Sequence, residues 1–169
     1  TEMGINLVKI ADGIASGKIK TLIVFGEDVL KRAVSHEQLR ARETTSEIVD
    51  EHGLTAELLA KLDTLIVSDI LPNETTKLAH YVLPGCAHAE KRGTFTNTNG
   101  RVQKFMKAVE APGDARAEWE FLHDLVFHVT GQNGFATIEG LFNAMSVDVP
   151  AFKGLTWAAL GDTGVTVKI

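Results

Sequence analysis

The 169 residues carry 22 acidic against 17 basic side chains, a formal net charge of -5, and are 44% hydrophobic, which suits one compact globular domain with a sizeable core. That balance leaves no basic footprint for a phosphate backbone or an anionic membrane surface, so nucleic acid is excluded as an expected partner. The single cysteine, Cys86, excludes an internal disulfide and, without paired-thiolate spacing, a structural zinc or iron-sulphur site within these residues, and it points to a reducing, cytosol-facing compartment.

In chain order, Ile5, Leu7, Val8, Ile10, Ala11, Ile14 and Ala15 fall at three- and four-residue spacing and predict a helix that stops at Gly17. The β-branched and aromatic run Thr21–Phe25, ending at Gly26, predicts a strand buried on both faces. Residues 35–51 are polar and read as a surface helix or loop. Thr55 is placed to cap a helix over Ala56–Leu62, and the run Thr64–Val67 follows as a second strand. A short helix from Pro72 or Asn73 through Ala79 leads into a third strand, Tyr81-Val82-Leu83, closed by Pro84-Gly85. This alternation predicts a parallel sheet.

After Gly85, the glycines and asparagines between residues 86 and 107 predict an irregular loop or small hairpin. Ala115–Thr130 then places Trp119, Leu122, Leu125, Val126 and Val129 on one helical face, with Gly131 as the stop. A shorter helix over Thr137–Met145 and a weakly structured apolar tail through Trp157 complete a single domain, the tail running from residue 132 to 169. The apolar runs are strand-sized and the start shows no signal pattern, so no direct membrane insertion is expected.

Neither a dinucleotide fingerprint nor a phosphate loop is present, since Gly26-Glu27-Asp28 follows the first strand and Gly17-Lys18 precedes it. In an open α/β sheet, ligands sit beyond the carboxyl ends of the strands. That places Gly26, Glu27, Asp28, Ser68, Asp69 and the stretch from Pro84 to His88 at the candidate edge, where carboxylates suit hydrogen bonds from a guanine or ribose; the plainer reading has Asp28 and Asp69 capping following helices. Cys86 and His88 form a conceivable nucleophile and base, or two metal ligands, although a buried inert thiol is the commoner case. His123 and His128, five apart on one helix, cannot chelate one ion from one face. Glu90-Lys91-Arg92 with Arg101, Lys104 and Lys107 suggests an anion site or, more simply, solvated loop charges.

The stretch from Leu65 to Gly85, with a strand ending in Asp69, Asn73-Glu74-Thr75-Thr76 and then Val82-Leu83-Pro84, resembles a region of the molybdopterin oxidoreductases. Ala89-Glu90-Lys91-Arg92-Gly93-Thr94-Phe95-Thr96-Asn97 through Arg101-Val102-Gln103 is similar to that family's signature, as are Gly26-Glu27-Asp28 and Pro112-Gly113-Asp114. The resemblance covers roughly residues 19 to 130. It implies a Rossmann-like three-layer α/β fold with a mainly parallel sheet, as in formate dehydrogenase domains, within a much longer chain that carries iron-sulphur clusters elsewhere.

Gly100 before Arg101 resembles the branch of large iron-sulphur subunits in NADH-quinone oxidoreductases. That implies a structural scaffold in the peripheral arm, no catalytic residue or cofactor in this stretch, and partners among the rest of its own chain and neighbouring subunits, in the cytoplasm or at the cytoplasmic face of the inner membrane. The alternative implied is a piece of a molybdenum or tungsten formate dehydrogenase. There Gly26, Glu27, Asp28 and Asp69 would help cradle a molybdopterin guanine dinucleotide, and Thr94 and Asn97 would approach its pterin.

Overall fold

The structure, a computed structural model, describes residues 7–30 and 54–168. The polar stretch 35–51 lies outside them. Helix α1 (Leu7–Ala15) precedes strand β1 (Thr21–Phe25). Helix α2 is short, Ala56–Leu59, and the Thr55 hydroxyl accepts from the Leu58 amide at its start, as expected of an N-cap. Strands β2 (Thr64–Asp69) and β3 (Tyr81–Pro84) follow, separated by a 3-10 turn at Thr76–Leu78 where a short helix was expected.

The three strands form a parallel sheet in the order β1-β2-β3, with Thr21 beside Thr64 and Phe25 beside Ser68. Because side chains alternate along a strand, Val24, Leu65 and Val67 share one face. They pack with Ala11 and Ile14 of α1, Leu59 of α2, and Leu54 and Leu62. The opposite face carries Ile23, Ile66 and Tyr81, and Tyr81 is 63% exposed. His80 extends the ladder ahead of β3: its amide donates to the Leu65 carbonyl, and its ring Nδ1 accepts the Leu65 amide at 2.9 Å. The ring therefore carries its proton on Nε2.

The chain gathers into two compact units, residues 1–84 and 85–169. One domain with a tail from residue 132 is the expectation from sequence, but the division falls where Pro84 ends the parallel sheet. The second unit has its own antiparallel sheet, so the mainly parallel expectation holds for the first unit only. Strand β4 (Gly93–Thr96) pairs with β5 (Arg101–Phe105) as a hairpin, and β5 pairs with β6 (Val165–Thr166).

Helix α3 spans Glu118–Thr130 and ends on Gly131 in the left-handed region. Helix α4 spans Ile138–Asp148, with the Thr137 hydroxyl accepting from the Gly140 amide. Within the stretch from residue 132, Phe142 on the expected helix and Trp157 and Leu160 beyond it bury against Val102. Rings explain the ordering, since Phe142 meets Trp157 edge-on at 5.9 Å and Phe152 at 6.4 Å. The sequence shows the apolar residues there but not their long-range partner strand.

Candidate functional site

The register that puts Phe25 beside Ser68 and Asp69 beside Pro84 carries Gly26, Glu27, Asp28 and Asp69 to one end of the parallel sheet. Gly26 donates its amide to the Ser68 carbonyl at 2.8 Å and turns the chain with φ of 63°, a conformation glycine adopts without strain. Glu27 is exposed.

Asp28 is tied inward. Its Oδ1 accepts from the Thr75 hydroxyl at 2.6 Å and from the Thr75 and Leu30 amides, and its Oδ2 accepts from the Glu74 amide at 3.4 Å. Burial alone would push this carboxyl up, but the Thr75 hydroxyl and the three amides outweigh it and hold the group below its ordinary value of 3.8.

Asp69 accepts from its neighbouring Ile70 amide and, through Oδ2, from Asn73 Nδ2, each at 2.7 Å. Asn73 and Thr76 then exchange bonds: Asn73 Oδ1 accepts the Thr76 amide, and Thr76 Oγ1 accepts the Asn73 amide while donating to its carbonyl. Neither aspartate is the N-cap of a described helix: Asp28 reaches 47 residues along the chain to Thr75, and Asp69 holds the loop ahead of the 3-10 turn, whose N-cap is Thr75. Between them, Ser68 Oγ is buried without a hydrogen-bond partner, an arrangement that costs about 1–3 kcal/mol unless an acceptor or donor is supplied.

Sequence reasoning missed the Thr75 and Asn73-Thr76 partners, because their positions relative to the strand ends depend on the crossover. Their signal was the cluster of small hydroxyl and amide side chains between β2 and β3.

In the second unit, Gly85 bridges to Arg116 and Cys86 is buried. Burial first, then Glu90 and Glu118, pushes the Cys86 thiol up, away from the thiolate a nucleophile needs. His88 is exposed. Thr94 stands opposite Lys104 in the hairpin. Asn97 holds the turn, its Oδ1 accepting the Asn99 and Arg101 amides at 2.9 Å.

The basic residues are partnered, and of them Lys107 remains an exposed loop charge. Lys91 Nζ donates to both oxygens of Glu118 at 2.6 and 2.7 Å, Arg92 pairs with Glu139, and Lys107 pairs with Glu110. Arg101 donates to the Thr163 carbonyl, while Arg92 and Lys104 both lie over the Trp157 ring. Lys91 and Arg92 each meet a carboxylate in the first turn of a helix, α3 and α4 respectively. Among the described residues, no three His, Cys, Asp or Glu side chains group as metal ligands, and no helix is long and apolar enough to cross a membrane.

Residues 1–127 match the model of the molybdopterin oxidoreductase family. This chain belongs to that family. Among similar molybdopterin oxidoreductase relatives, NADPH-Fe(3+) oxidoreductase subunit alpha of Geobacter sulfurreducens is 35% identical over 97% of this chain, which spans 17% of that subunit. F420-dependent formate dehydrogenase 1 subunit alpha of Methanococcus maripaludis is 43% identical over 63% of the chain and 16% of the subunit. The G 2 chain of the NADH-quinone oxidoreductase of Rhizobium meliloti is 36% identical over 63% of this chain and 12% of its own length. The chain therefore covers less than a fifth of these relatives. In fold, acetylene hydratase from Pelobacter acetylenicus superposes with a TM-score of 0.58 over 97% of this chain and 21% of its own, at 18% identity.

Proposed function

We propose that this molybdopterin oxidoreductase chain is a structural module of the large subunit of an NADH-quinone oxidoreductase, in the peripheral arm of a complex passing electrons from reduced nicotinamide to quinone. The observation that carries the reading is the Asp28 network, in which one carboxylate accepts four bonds from the chain's own Leu30, Glu74 and Thr75. A strand end tied in this way is held as scaffold. Two of the relatives carry a reduced nicotinamide in their names, NADPH and NADH. On this reading the electron-carrying clusters lie outside these residues, the module sits at the cytoplasmic face of the membrane, and its partners are the rest of its own polypeptide and the neighbouring subunits. A second helical layer, completing the three-layer fold, covers the Ile23, Ile66 and Tyr81 face there, since parallel sheets bury both faces.

A second reading, part of a molybdenum or tungsten formate dehydrogenase, is favoured by two features of the same edge. Glu27 is exposed beside the positive-φ turn at Gly26, and Ser68 Oγ is buried unpartnered. This donor set fits a guanine dinucleotide: Glu27 and the Asp69 carboxylate would accept from guanine or ribose, Gly26 would admit close approach, and Asp28 would position the turn. When bound, the pterin-held metal supplies the redox chemistry. In the second unit, Thr94 and Asn97 would lie on the pterin side.

The test uses the natural protein that contains this sequence, purified with its associated subunits. NADH-dependent quinone reduction, with no fluorescent pterin released on acid oxidation, supports the first reading. Formate oxidation with one or two pterins per subunit overturns it and supports the second.

A further inference from the structure

Helix α3 is anomalous. At 100° per residue, Phe121, Leu125, Val129, Leu122, Val126 and Trp119 form one continuous apolar arc, yet no residue of the helix is buried. Leu122 and Leu125 are each 40% exposed and Val129 is 75% exposed. Trp119 and Phe121 are half-buried, but short helices owe most of their stability to packing an apolar face, so an arc left open from Leu122 to Val129 marks a surface built to be covered.

Beside this arc lies a half-open apolar cavity of about 240 Å³, lined by Trp119, Leu122, Val126, Phe135 and Leu141 together with His123 and Gly134. The cavity has a built wall, because a Cβ on Gly134 would come within 2.7 Å of the His123 ring. The charges flanking the arc pair with one another, Arg116 with Glu120 and Asp124 and Lys91 with Glu118, which leaves this flank with more carboxylates than bases. The flank is thus slightly acidic and offers nothing to attract an acidic partner, while the arc itself calls for an apolar surface.

We propose that the apolar arc of α3 and its cavity seat an apolar segment of the same parent polypeptide, outside these 169 residues, with one large side chain filling the cavity. Two observations select this occupant. The chain aligns over 97% of its length with a relative of which it spans only 17%, so a parent of that kind holds most of its apolar residues elsewhere. The excess of carboxylates on the flank disfavours an acidic partner or an anionic lipid surface. The proposal rests on the reading that this chain is a module of a longer subunit.

Hydrogen exchange with mass spectrometry on the natural full-length protein, wild type against Val129→Asp, tests it. The expected result is that the amides of residues 122–130 exchange about tenfold or more slowly in the wild type. A Val129→Cys variant carrying a short cross-linker should also capture a peptide from outside these residues in the same polypeptide. Val129 is largely exposed, so this variant folds. Equal exchange in both proteins, or cross-links confined to residues 1–169, overturns the proposal. Protection that rises with protein concentration means a second copy, and protection that needs added phosphatidylglycerol vesicles means a lipid surface; either overturns it. If the natural protein ends with these residues, the module reading itself fails, which the intact mass shows before any exchange is measured.

Discussion

A carboxylate that accepts four bonds from three residues acts as a knot between distant parts of the chain. Asp28 joins the loop after β1 to the turn before β3. Asp28→Asn keeps the shape but weakens the charge-assisted bonds, and a loss of about 1–3 kcal/mol in urea unfolding is expected. The pH dependence has a definite sign. The folded carboxyl titrates below its ordinary 3.8, so its contribution is fully present above that value and is lost as the pH falls through it and on through the lower folded value. Urea titrations at pH 6 and at pH 3 should therefore show a gap between wild type and D28N at the higher pH that narrows at the lower one.

A second residue, Gly164, is fixed by space as well as conformation. It has φ of 78°, and a Cβ there would lie 2.3 Å from the Val102 carbonyl oxygen. Gly164→Ala should cost more than about 1 kcal/mol, read as a lowered unfolding midpoint, because the backbone of β5 would have to move. An unchanged midpoint would show that β5 yields easily.

Among the elements, β2 is the one on which the first unit depends. Leu65 and Val67 are both fully buried at its centre, and Leu65→Ala should destabilise that unit by about 2–5 kcal/mol. The three parallel strands and α1 were readable from the sequence, because Thr21–Phe25 and Thr64–Val67 are continuous apolar runs and α1 has a clean helical period. The hairpin was readable only as an alternative, since Asn97, Asn99 and Gly100 announce a turn without naming its strands.

Strand β6 was not readable at all. Val165 and Thr166 are two residues whose strand character comes from pairing with Arg101 and Val102, a long-range contact that no local pattern encodes. The edge residues Gly26, Glu27, Asp28 and Asp69 were located correctly at one sheet end. What the sequence could not show was that Thr75 and Asn73 would engage the two aspartates, because side-chain bonds across a crossover depend on how the turn closes.

At the scale of the whole molecule, the two units have separate cores, one around Leu65 and Val67 and one around Val102 and Phe142. Both tryptophans, Trp119 and Trp157, belong to the second. Tryptophan fluorescence thus reports the second unit, whereas hydrogen exchange in residues 64–69 reports the first. Leu65→Ala should accelerate exchange in β2 and leave the fluorescence midpoint in place, while Phe142→Ala, worth about 3–5 kcal/mol, should shift the fluorescence. If either variant moved both signals together, the cores would be one cooperative structure.

The hairpin that holds the family signature takes its third strand from Val165 and Thr166, residues a ribosome adds long after β4 and β5 have emerged. Until then the outer backbone groups of β5 are an open edge, the kind of surface on which nascent chains stick to one another. Biogenesis of this unit is consequently most vulnerable between the emergence of β5 and that of Val165, and messages cut short just before the Val165 codon should yield insoluble product even though every residue of the signature has been made.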